Sequence, residues 1–414
     1  MDSAEGQKRG RSDEKSKLLR KSGPDLCVRC GSCKALCPTN IEFTNEGMSA
    51  RGRIALLKKL FNKEIDPSDV LDERIFSCLL CGACNTLCPL GISVTDAVYE
   101  GRVKLGSRKR HWLFRMGMKY AFGDTTRAFN ILKFLDNAGL TRSLSWMQPF
   151  KALKEMRADI PKTRLRSAAT VYKVPNPKGR IAIFTGCTVD FLYPAMGLSL
   201  IHTLNSLDYE VVIPKGEVCC GAPLLGAGLR EEAIMLAEKN LNAFKKLQAE
   251  AVISLCPTCT HFIRDEYIKL TGEGIDNAAD ISAFLCDESL TATLVRPEEH
   301  PGNIIYHDPC HSINYLGLKD EPRRLLKALG FGLIEPADRG CCGLGGTVRL
   351  MHGNISRTLL ERRIESFHAA GEAETPEMIV TSCPNCVLQL SSRITDRPVK
   401  HIIEIIAANM KRRS

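Results

Sequence analysis

"RIAIFTGC", residues 180–187, is a short apolar run that ends on a glycine and a cysteine. The chain writes the same thing again as "NIIYHDPC", residues 303–310. Bounded apolar runs of this length read as buried strands. Each is followed by a helical segment ("SLIHTLNSL", "PRRLLKALG") and a second strand-like piece ("YEVVIP", "GLIEP"). Then come Cys-Cys-Gly, a long helical pattern ("EEAIMLAEKNLNAFKKLQ", "RTLLERRIESFHAAG") and a third strand, "AVISLCPTC" or "MIVTSCPNC". Strands alternating with helices predict an α/β fold with parallel crossovers. A pattern that occurs twice predicts a duplicated domain, with copy one over 181–296 and copy two over 297–414.

Upstream of this duplication the composition changes twice. Residues 1–22 are polar and basic and read as a disordered tail. Residues 23–100 carry eight cysteines in two clusters, separated by the helical pattern "MSARGRIALLKKLFNKE". Residues 101–180 contain no cysteine and hold 19 Lys and Arg against 4 Asp and Glu, a net of +15. The whole chain carries +10, so its basic character is local to this stretch. It reads as a basic linker of amphipathic helices closed by the proline-rich "VPNPKG". No run of eighteen apolar residues predicts a membrane span. The first residues have no apolar signal core, so the expected location is cytoplasmic, with reduced thiols. Nineteen cysteines in such a chain point to metal rather than disulfides.

Cys27, Cys30, Cys33 and Cys37, followed by Pro38, spell C-x2-C-x2-C-x3-C-P, and Cys78, Cys81, Cys84 and Cys88, followed by Pro89, spell it again. Three thiolates two residues apart let one tight loop wrap three corners of a cubane. Proline after the fourth cysteine stops the chain coiling round the same cluster. In this motif the fourth cysteine ligates the other cluster. One [4Fe–4S] cluster is therefore expected on Cys27, Cys30, Cys33 and Cys88, and a second on Cys78, Cys81, Cys84 and Cys37. Zinc also takes four thiolates, but its knuckles are usually set a dozen or more residues apart.

The duplicated part carries five cysteines per copy. Copy one has Cys187, Cys219, Cys220, Cys256 and Cys259, and copy two has Cys310, Cys341, Cys342, Cys383 and Cys386. All lie at the carboxyl ends of predicted strands or just beyond, the edge where ligands collect in open α/β sheets. Adjacent cysteines on an extended chain point in different directions, so each pair is suited to bridging irons. Gly221 and Gly343 allow the turn and close approach that follow. A vicinal disulfide switch is the alternative for a pair. Cys286 stands alone and reads as a small buried hydrophobe. His307 and His311 flank Cys310, where capping and packing of the adjoining turn is a simpler role than contact with a cluster or substrate.

Residues 23–100 resemble the two-cluster ferredoxin domain, in its α-helical variety, of iron–sulfur oxidoreductase subunits. The five-cysteine pattern resembles the cysteine-rich CCG domain of heterodisulfide reductase subunits. It is equally similar to the iron–sulfur subunits of glycolate oxidase and anaerobic glycerol-3-phosphate dehydrogenase. "RGRIALLKKL" and "VKHIIEIIA" look most like the glycolate oxidase type, whereas two complete CCG copies are more like the heterodisulfide reductase type. The resemblance implies one or two further iron–sulfur clusters on the ten CCG cysteines.

No G-x-G-x-x-G opens a helix after a strand, so neither flavin nor NAD is expected on this chain. The expected function is an electron-transfer subunit of a flavin-dependent glycolate or D-lactate dehydrogenase, with no catalytic residue of its own. Its partners are expected to be an FAD-containing dehydrogenase subunit and a quinone or other carrier. The alternative functions are disulfide reduction at a CCG cluster and the glycerol-3-phosphate complex. The basic stretch 101–180 reads either as a solvated helical face or as a docking surface for a partner or the inner face of the membrane. It has few periodic aromatics and no nucleic-acid motif, so nucleic acid is not expected.

Overall fold

The computed structural model describes residues 23–410 apart from 107, 109–111, 139, 141–153, 156–159, 288–300 and 373. The tail read over 1–22 lies outside the described residues. Ser49 starts the helix expected between the first two cysteine clusters, its Oγ accepting from the Gly52 amide at 2.9 Å. That helix, α1 (Ala50–Phe61), buries Ile54, Leu57 and Leu60. Each leucine fully withdrawn from water contributes roughly 1.5–3 kcal/mol. Ser68 caps α2 (Asp69–Phe76) in the same way. Helix α3 (Val94–Gly106) packs on both. In the basic stretch α4 (Trp112–Gly123) and α5 (Thr125–Asn137) pack on each other, and Asp124 caps the second.

Two sheets follow. The first has five strands, β1 (Val171–Tyr172), β2 (Gly179–Ile183), β3 (Tyr209–Val212), β4 (Ala251–Ser254) and β5 (Ala278–Asp280), in the order β1-β3-β2-β4-β5. Only β1 is antiparallel. The second has β6 (Asn303–His307), β7 (Gly332–Ile334), β8 (Met378–Thr381) and β9 (Val399–His401), all parallel, in the order β7-β6-β8-β9. Without β1 the two orders are identical, which is the duplication in three dimensions. Strands β5 and β9 are three residues each, too short to show a period, and were not among the expected strands. Strand β1 and the start of β2 lie inside 101–180, so the first sheet begins before the expected boundary. Likewise α3 runs across the boundary at 100.

Between strands run α6 (Pro194–Ser206) and α7 (Arg230–Phe244) in copy one. Their counterparts in copy two are α9 (Glu321–Ala328) and α10 (Gly353–Ala370), which stand with α8 (Cys310–Leu316) after the first strand and α11 (Ile402–Ala408) after the last. One apolar core joins the copies, with Leu200 and Leu204 of α6 among the same cluster as Ile402 and Ile406 of α11. A second core runs from Ile54 and Leu57 of the helical domain through Leu224 and Phe184 to Ile305 and Leu390. Arg102 on α3 is fully buried where three parts meet. Its guanidinium donates to the carbonyls of Ile75, Phe76 and Cys78, to that of Gly226 in copy one, and to Thr347 Oγ1 in copy two.

Candidate cluster-binding sites

The two CxxCxxC loops have the same backbone. Arg29 and Leu80, each just before a middle cysteine, have φ of 57° and 56°, and Gly31 and Gly82 after it have 90° and 77°. These left-handed turns coil three thiols inward. Cys27, Cys30 and Cys33 line a hollow together with Cys88, not with Cys37. Cys37 instead lines a second hollow with Cys78, Cys81 and Cys84. In space, then, Cys88 stands with the first loop and Cys37 with the second. The first hollow opens to solvent at Cys30 and is rimmed by exposed Val28 and Leu90. The second is buried and is walled on one side by Arg53, which donates to Thr39 Oγ1 at 3.0 Å and lies 3.9 Å from Cys37 Sγ. A buried cation here favours an anionic occupant.

The ten cysteines of the two copies form one line. In copy one Cys187 lies beside Cys219, Cys220 beside Cys259, and Cys259 beside Cys256. In copy two Cys310 and Cys341 sulfurs are 3.9 Å apart, Cys342 and Cys386 are 3.5 Å apart, and Cys386 meets Cys383. The copies join where Cys256 meets Cys383, its own counterpart. Asn385 ties the joint, accepting from Thr188 Oγ1 at 2.7 Å and donating to Cys256 Sγ at 3.6 Å. Shared S–H bonds hold Cys220 down at about 6, and a shared bond with Cys219 plus burial pushes Cys187 well above the ordinary thiol range. Gly343 has a φ of 82°, and a Cβ there would lie 2.7 Å from the Ser356 carbonyl, so the turn after the second pair requires glycine. Its amide donates to Cys341 Sγ at 3.4 Å. Thiol sets of this density, with amide and cationic neighbours, fit iron–sulfur clusters and no single zinc ion.

Copy two touches the helical domain at the second hollow. Cys81 packs with Cys310 and Cys341, and those thiols help push the Cys81 thiol up after burial itself. From α8, Asn314 donates to the Cys81 carbonyl at 2.9 Å and Tyr315 to the Leu80 carbonyl at 3.1 Å. Any Cβ at Gly82 would lie 2.6 Å from the Tyr315 ring. Tyr315 in turn stacks between His261 and His311, at 4.2 and 4.9 Å. His311 thus packs in the adjoining turn, and it also reaches a site cysteine, its Nδ1 lying 3.5 Å from Cys310 Sγ. His307 packs edge-on against Phe367, burial pushes it down to about 3, and neither ring nitrogen has a hydrogen-bond partner among the described residues. Cys286 lies away from these groups and packs on the core between the copies, but it is half-buried rather than buried and donates to the Glu321 carbonyl at 3.4 Å.

Residues 181–264 and 304–391 each match the cysteine-rich CCG domain family, and residues 7–92 match the 4Fe–4S dicluster domain. The probable glycolate oxidase iron–sulfur subunit of Bacillus subtilis (strain 168) is 30% identical over 395 residues, covering 88% of this chain and 87% of that protein. The chain belongs to the CCG-domain iron–sulfur family. This CCG-domain protein is also 27% identical to a dihydromethanophenazine:CoB–CoM heterodisulfide reductase subunit of Methanosarcina barkeri (strain Fusaro), across 92% of its own length and 93% of the relative's. A CoM/CoB fumarate reductase subunit of Methanothermobacter marburgensis is 27% identical, over 92% and 71%. The CCG-domain protein is an iron–sulfur electron-transfer subunit of an oxidoreductase complex. Among the described residues no helix is long and apolar enough to cross a membrane. Sequence reasoning missed Arg53, Arg102 and Tyr315, because no motif marks a cation or ring that acts only through tertiary packing.

Proposed function

We propose that the CCG-domain protein carries electrons for a flavin-dependent 2-hydroxyacid dehydrogenase, glycolate or D-lactate being the substrate class. The observation that carries this reading is the unbroken succession of cysteine groups. It runs from the exposed rim at Cys30 to the buried hollow at Cys81, through copy two at Cys310 and Cys341, and on to copy one across the Cys256–Cys383 contact. Clusters held by these cysteines supply one-electron transfer. The chain's own residues set the order, keep the inner groups dry, and leave Val28 and Leu90 at the rim for a flavoprotein to cover. The Bacillus relative supports the substrate class. Helix α4 shows Trp112, Leu113, Met116 and Tyr120 on one exposed face within the +15 stretch, which suits contact with an anionic membrane bearing a quinone.

The test is anaerobic purification of the native complex. A co-eluting flavoprotein is expected, and glycolate or D-lactate should bleach the visible absorption only when that flavoprotein is present. A second reading, disulfide reduction, is favoured by one feature: both copies are complete and their cysteine groups touch at Cys256 and Cys383. Turnover of a disulfide by the isolated chain, with no response to hydroxyacids in the complex, would replace the first reading by the second.

A further inference from the structure

The two CCG copies carry the same five cysteines, but the ring that precedes the first of them differs in its chemistry. Three residues before Cys187 stands Phe184, and three before Cys310 stands His307. Phe184 stacks on Phe244 of α7 at 5.6 Å, and His307 meets Phe367 of α10 edge-on at 5.8 Å. The ring pair is kept, and only copy two replaces a phenyl by an imidazole.

That imidazole is 1% exposed, and both its nitrogens lack a hydrogen-bond partner among the described residues. A buried polar group left unpaired costs about 1–3 kcal/mol, which a phenylalanine would avoid. The nitrogens are not distant from a partner of another kind. One ring nitrogen and the sulfurs of Cys342 and Cys386 all lie within 4.8 Å of one another, and the two sulfurs are 3.5 Å apart. Three donor atoms at that separation match the edges of one metal's coordination shell, where each ligand stands about 2.0–2.3 Å from the ion. Phe367 on the flank of the ring and the β6 backbone fix its direction.

We propose that His307 is a ligand of the copy-two iron–sulfur site, its imidazole nitrogen bound to an iron shared with Cys342 and Cys386. The proposal rests on the cluster reading of the CCG cysteines. His307 adds a neutral donor to the five thiols that both copies carry, so copy two differs from copy one, where Phe184 offers no donor.

The test uses the anaerobically purified full chain, poised so that each CCG site gives its paramagnetic signal, with histidine either unlabelled or ¹⁵N-labelled. Pulsed electron paramagnetic resonance is expected to show one strongly coupled histidine nitrogen that changes isotope with the label. His307→Phe, which copies the Phe184 pair and so retains the packing, should abolish that coupling. Iron content of the other sites should stay unchanged. His311→Phe should leave the coupling in place. Normal CCG iron with no strongly coupled histidine nitrogen in the wild type overturns the ligand assignment while leaving the cluster reading intact. So does a coupling that survives His307→Phe. Iron confined to the ferredoxin hollows overturns both.

Discussion

At the scale of single residues, Cys88 distinguishes the spatial grouping from the sequential one. It sits four residues past Cys84 yet lines the hollow of Cys27, Cys30 and Cys33, and its sulfur accepts from the Ile92 amide at 3.3 Å. Cys88→Ser is expected to weaken the paramagnetic signal of that outer site and leave the inner one intact. Loss of the inner signal alone would mean the ligation is not crossed. Asp280 poses a different question. It is buried in β5, its Oδ1 accepts from the Ser282 amide at 2.8 Å, and its Oδ2 has no partner among the described residues. Burial raises its pKa to about 7 from an ordinary 3.8. Between about pH 4 and 7 the folded chain therefore holds a proton that the unfolded chain has lost, so stability falls as pH rises through that window. Asp280→Asn keeps the cap and removes the proton, so it should flatten that fall, by roughly 2–4 kcal/mol at neutral pH. Unfolding midpoints followed from about pH 5 to 8 check this, and equal slopes in both proteins would contradict it.

At the scale of elements, α4 mixes two roles that the sequence presented as one. Arg108, just before it, is paired with Asp69 and Asp72 of α2, and Lys119 with Glu232 of α7. These cations hold the fold together rather than wait for a partner. Lys109 and Arg110 lie outside the described residues. The free feature is apolar: Trp112, Met116 and Tyr120 recur every four residues on one exposed face. Replacing Trp112 and Met116 together by Glu is expected to cut sedimentation with anionic vesicles several-fold while leaving iron content unchanged. Unaltered sedimentation would make this face ordinary surface. The elements also show what was legible beforehand. The doubled cysteine motifs, the α1 helix and three strands of each copy were readable, because a cluster loop needs fixed spacing and a buried strand needs a continuous apolar run. Strands β5 and β9 were not, since three residues show no period, and β1 is defined only by its pairing with β3. His307 was visible in the sequence but read as packing. Its unpaired nitrogens appear only once α10 closes over it.

At the scale of the molecule, the helical domain and the two CCG copies act as one body because charged and aromatic groups bridge them. Arg102 is the principal bridge, touching all three. Arg102→Met removes its donors and leaves buried carbonyls unpaired, an expected loss of about 3–5 kcal/mol. It should also split the unfolding transition, with the helical domain melting first. A single unshifted transition would show that the apolar core alone couples the parts. The same unity fixes the central claim, that eighteen cysteines of one rigid chain hold a continuous set of iron–sulfur sites. Its most direct test is the iron and acid-labile sulfide content of the anaerobically purified chain. Two cubanes account for about eight irons, so the account predicts brown protein with clearly more than about eight irons per chain and comparable sulfide. Zinc at these sites, in a colourless protein without labile sulfide, would contradict it.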